Sequence, residues 1–185
     1  MELTDRCESS VQSHIDYMIG NILNISVHLQ HNAYNAVVSW LTVLHLTQQQ
    51  RTQLFHQSYK LLVNNGTFYC EDFVQLNTIT DNERSVLQDG VFCNYISTQQ
   101  QYIDDLQQAG YTVHTELLTD SWLLYSIDRA TQWKSQYQRN IHIHGKDVVD
   151  NLQQFYDSIV MLFMGGNVGG IRVVATKNID VGLDT

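Results

Sequence analysis

The chain has 185 residues, 43% of them hydrophobic, which fits one globular domain with a packed core. Its 10 Lys and Arg stand against 19 Asp and Glu, a formal charge of -9. That excess of acid opposes attraction to phosphate and argues against nucleic acid, so a small molecule or a protein is the expected partner. Cys7, Cys70 and Cys93 show no CxxC spacing, which excludes a zinc knuckle or a disulfide framework and suits a reducing compartment. No apolar run reaches the roughly 18 residues of a membrane span, and the first ten residues hold no signal-like apolar core. The expected location is cytoplasmic and away from the membrane.

In chain order, a short helix is expected at about residues 2–9. His14 to Ile19 alternates apolar Ile15, Tyr17 and Ile19 with other neighbours, which reads as a strand ending at Gly20 and Asn21. Ala36 to Trp40 is a β-branched strand. Thr47 then caps a helix with Leu54, Phe55, Leu61 and Leu62 on its apolar stripe, ending at the left-handed turn signal Asn64, Asn65, Gly66. Thr67 to Asp72 follows as a strand, and strand, helix, strand implies a parallel pair. Helical pattern returns within residues 80–88, and Thr98 caps a helix that carries Tyr102, Ile103, Leu106 and Ala109 as far as Gly110. Tyr111 to Leu118 reads as strand. Helices are expected over about residues 121–139 and 146–164, the second with a wide apolar face. The cluster Gly165 to Gly170 stops that helix and leads into a last strand, residues 169–177. The domain spans residues 1–177, and residues 178–185 read as a disordered tail.

Two stretches carry a resemblance to a known family. Tyr34 to His45 (YNAVVSWLTVLH) and Leu61 to Phe73 (LLVNNGTFYCEDF) resemble the second half of class I S-adenosylmethionine-dependent methyltransferases. The likeness is greatest to the small-molecule amine N-methyltransferases of the sarcosine/dimethylglycine and phosphoethanolamine types. It implies an α/β, Rossmann-like sheet of strand order 3-2-1-4-5-7-6, with a helical insertion before the last strands. It also implies methyl transfer from S-adenosylmethionine to the nitrogen of a small amine. Glu2 to Arg6 resembles the helix after the second strand, and no GxGxG turn occurs in the sequence, so the fold is expected to be N-terminally truncated, without strands 1 and 2. Cofactor binding by this chain alone is then expected to be weak or lost. An open sheet edge bearing Val37 and Val38 invites self-association. A split enzyme completed by a partner and a non-catalytic interaction module stand beside the autonomous enzyme.

The resemblance also assigns residues. Gly20 and Asn21 fall near the adenine amino group of the cofactor, and Ser39, Trp40 and Leu41 fall at its methionine end. The latter three close a parallel strand, where open α/β sheets bind ligands. His45, Glu71 and Asp72 are the catalytic candidates: His45 lies beside the methyl-transfer region, and either carboxylate suits a substrate ammonium or its proton. Tyr69, Phe73 and Tyr95 suit an aromatic lining for a cationic amine. Arg172 in the last strand suits a substrate carboxylate or phosphate. His142 and His144 would share one face of a strand, but no third ligand is near, so no metal is expected.

Overall fold

The computed structural model describes residues 15–178. The predicted helix at residues 2–9 and the tail beyond residue 178 lie outside them. A four-stranded sheet runs in the order β1 (Tyr34–Trp40), β2 (Leu62–Gln75), β4 (Val168–Lys177), β3 (Tyr111–Leu117). β1 and β2 are parallel, and β4 is antiparallel to both β2 and β3. This is the 4-5-7-6 half of the order that the resemblance implies. Helices cover both faces, as a parallel pair with two buried faces requires. On one face, α1 (Gln48–Leu61) and α3 (Gln99–Gln108) close a core that includes Leu54, Phe55, Phe68, Tyr102, Leu106 and Val173. On the other, α2 (Asp81–Gly90), α4 (Thr119–Ser135) and α6 (Lys146–Gly165) pack with Phe73, Leu87, Leu162 and Phe163.

Local chemistry explains four of these helix ends. Thr47, Thr80 and Thr98 each accept a bond from the third helical amide, and Gln50, Glu83 and Gln101 reciprocate, three capping boxes that start α1, α2 and α3. α6 stops at Gly166, whose φ of +77° is left-handed. The buried pair of Arg51 and Asp105, with Nη2 2.6 Å from Oδ2, ties α1 to α3.

Four expectations need correction. Residues 15–21 form no strand, and Asn21 instead caps a short 3-10 helix, Ile22–Val27. Alternation makes a strand only where a neighbour completes the backbone ladder, and among the described residues nothing pairs with the outer edge of β1. Asn64, Asn65 and Gly66 do not end α1. That helix stops at Leu61, and the turn residues sit inside β2, where the pairing jumps from Tyr34↔Leu62 to Ala36↔Thr67. The single helix expected over residues 121–139 is α4 followed by α5 (Tyr137–His144). His142 and His144 therefore lie on a helix, where a spacing of two puts side chains on different faces.

Candidate active site

Alternation along β2 decides what faces what. Tyr69, Glu71 and Phe73 point toward α4 and α6, while Phe68, Cys70 and Asp72 point toward α1 and α3. Between the first set and the two helices lies a cavity of about 700 Å³, at the C-terminal ends of the parallel strands β1 and β2. Trp40, Leu41, Tyr69, Glu71, Phe73 and Arg172, six of the residues singled out in the sequence, line it together. Leu41 turns the chain away from β1 at a φ of +48°, held by its amide bond to the Glu71 carbonyl at 2.9 Å.

The floor is a polar ladder set by strand register. Glu71 of β2 faces Arg172 of β4, which faces Glu116 of β3. Arg172 donates from Nε to Glu71 Oε1 at 2.8 Å and to the Tyr69 hydroxyl at 3.0 Å, and from Nη1 to Glu116 Oε2 at 2.8 Å. The Tyr69 hydroxyl also donates to Glu71 Oε1. That bond, together with burial, holds the phenol above its usual range. Glu71 is 3% exposed, and both bonds fall on Oε1, so Oε2 takes no hydrogen bond from a described residue.

Aromatic rings from the two helices form the walls. Trp122 and Phe163 both pack edge-on against Phe73, with centroids 6.1 and 5.5 Å away, and Phe155, Tyr156 and Tyr125 continue the lining. At Gly170 a Cβ would come within 2.7 Å of the Trp122 ring, so glycine lets this wall approach β4. Arg129 lies on the exposed side of α4. It donates from Nε to the Tyr125 hydroxyl at 2.9 Å, and its guanidinium stands 5.2 Å from the centre of that ring.

Sequence reasoning placed Trp122 and Tyr125 on a helix but did not assign them, or Arg129, Phe155 and Tyr156, to a site. The available signal was spacing: Trp122, Tyr125 and Arg129 follow i, i+3, i+7, and Phe155, Ile159 and Phe163 follow i, i+4, i+8.

The other candidates lie elsewhere. Ser39 is buried on the opposite face and borders a separate apolar cavity of about 280 Å³, with Ile22, Ile25 and Leu54. Asp72 is fully buried and accepts from the Leu44 amide at 2.9 Å and the Phe73 amide at 2.8 Å, fastening the β1–α1 connection to β2. Burial pushes its carboxyl up to about 7, against the pull of those amides. His45 bonds through Nδ1 with the Phe92 carbonyl at 3.0 Å, outside the large cavity. Tyr95 is 47% exposed and does not line the cavity. Asn21 spends its side-chain oxygen on the Leu23 amide at 2.9 Å, next to exposed Gly20. Among the described residues no group of three or more His, Cys, Asp or Glu is arranged for a metal, and no helix is long and apolar enough to cross a membrane.

No protein-family model matches the sequence, and no curated protein matches it. Solved structures do match the fold. A cyclopropane synthase from Mycobacterium tuberculosis aligns with a TM-score of 0.71 at 13% identity, covering 82% of this chain and 58% of that one. A protein assigned as a sarcosine dimethylglycine methyltransferase from Galdieria sulphuraria gives 0.73 at 14%, covering 86% and 57%. A phosphoethanolamine N-methyltransferase from Haemonchus contortus, in complex with S-adenosyl-L-methionine, gives 0.72 at 14%, covering 82% and 35%. The chain thus spans less than two thirds of the length of each of these proteins. Strand order, helices on both sheet faces and these alignments agree: the fold is the Rossmann-like fold of class I methyltransferases.

Proposed function

We propose that the chain carries the acceptor-binding part of an S-adenosylmethionine-dependent methyltransferase and that the methyl group goes to the nitrogen of an amine. The observation that supports this reading is the aromatic cavity at the C-terminal ends of the parallel strands, with Glu71 Oε2 in its floor taking no hydrogen bond from a described residue. Trp40 and Leu41 suit the sulfonium end of the cofactor, because an aromatic face favours a nearby cation. The fit is to that end alone, since no glycine turn of the family's pattern occurs in the sequence. When bound, the cofactor supplies an electrophilic methyl group. The protein's part is to hold the acceptor nitrogen in line with it, which contributes much of the rate in such reactions. Glu71 Oε2 accepts the proton that the amine gives up, and Tyr69 and Phe73 flank the charged nitrogen.

Isothermal titration of the folded chain with S-adenosylmethionine tests the reading. Micromolar binding supports it. No binding up to millimolar cofactor, with cooperative unfolding retained, sinks the autonomous enzyme. A second reading, an interaction module, then takes its place. It draws on the outer edge of β1, unpaired among the described residues, where Val38 and Trp40 are 66% and 57% exposed. That reading expects a dimer in light scattering that Val38→Lys dissociates, and a monomeric wild-type chain would refute it.

A further inference from the structure

The charges of the cavity are unequally engaged. Arg172 and Glu71 neutralise each other in the floor, and Arg172 spends Nη1 on Glu116. Arg129 has no carboxylate within ion-pairing distance among the described residues. Its sequence neighbour Asp128 accepts instead from Gln132 Nε2 at 2.8 Å. Arg129 bonds through Nε to the Tyr125 hydroxyl, with its guanidinium 5.2 Å from the centre of that ring, and Nη1 and Nη2 take no bond to any described residue. A guanidinium whose Nη1 and Nη2 bond to no described residue, lining a cavity in a chain of charge -9, suits an anion.

The cavity itself sets the size and character of what reaches Arg129. A cavity of about 700 Å³ has room for many waters. An amine of a few heavy atoms would leave most of that space wet against aromatic rings. The volume falls in the range of about 300–1,000 Å³ in which sites bury drug-sized molecules.

We propose that the molecule bound in this cavity is a bulky, largely apolar amine that also carries an acid group, its flat body lying between Trp122, Phe155 and Phe73 and its anionic group on the Nη atoms of Arg129. The inference rests on reading the cavity as the acceptor site, and it adds the acceptor's shape and charge.

Isothermal titration with 2-naphthoate, 2-naphthylmethanol and acetate checks it, on the wild-type chain and on Arg129→Gln and Arg129→Lys. Arg129 is exposed on α4, and thermal melting verifies that the variants keep the fold. The wild-type chain is expected to bind 2-naphthoate about tenfold more tightly than the uncharged alcohol, and acetate far more weakly than either. Arg129→Gln should remove the preference for the acid while changing alcohol binding less than about twofold, and Arg129→Lys should restore part of it. Equal affinity for acid and alcohol, a preference that survives Arg129→Gln, acetate binding as well as naphthoate, or no binding of any probe at millimolar concentration would each overturn the proposal. Binding of 2-naphthoate as expected without binding of S-adenosylmethionine would leave the inference standing and the autonomous transferase lost. Cofactor binding with the wrong probe pattern would do the reverse.

Discussion

Glu71 and Arg172 stand opposite each other in the β2–β4 register, with Arg172 Nε 2.8 Å from a carboxylate that is 3% exposed. The pair joins two antiparallel strands and forms the cavity floor, so the same bond serves stability and site geometry.

Removing one partner leaves the other charge without compensation. Arg172→Met is expected to cost about 1–3 kcal/mol in urea unfolding, because the buried carboxylate loses a charge-assisted bond. Glu71→Gln with Arg172→Met should cost less than the sum of the single changes. Additive losses would mean that the two side chains are energetically independent.

Asp72 gives stability a pH dependence of unusual sign. Its carboxyl titrates at about 7 in the fold and near 3.8 in the unfolded chain, so between these values the folded form holds a proton that the unfolded form has released. Its contribution to stability therefore falls as pH rises from about 4 to about 7, by on the order of 4 kcal/mol, and is flat above. Urea unfolding of the wild-type chain and Asp72→Asn at pH 5 and pH 8 isolates the effect. The stability of the wild type relative to the variant should be greater at pH 5, and a difference independent of pH would refute the assignment.

Gly170→Ala places a methyl group 2.7 Å from the Trp122 ring as it stands. The ring must move, at a cost of about 1–3 kcal/mol, and the wall next to Phe73 moves with it. Near-ultraviolet circular dichroism should change while the far-ultraviolet spectrum is retained. Unaltered stability and aromatic signal would show that the wall has room to spare.

The sequence by itself determined the elements that local chemistry controls. The threonines at 47, 80 and 98 each precede Gln or Glu by three residues, and that spacing is enough to start a helix. The run through Val37 and Val38 and the motif from Thr67 to Phe73 read as strands because β-branched and aromatic residues suit a pleated, buried surface. Where a partner was needed, sequence did not suffice. Residues 15–19 alternate as a strand would, yet no described strand lies beside them to take their backbone bonds. The site shows the same division. Adjacent residues of a strand point to opposite faces, so Glu71 and Asp72, or Trp40 and Ser39, could not share one cavity. Only the positions of α4 and α6, about 50 to 90 residues further along, decided which face became the site. Those helices also brought Arg129 and the aromatic walls, because packing across the sheet, rather than neighbourhood in the chain, sets what surrounds a cavity.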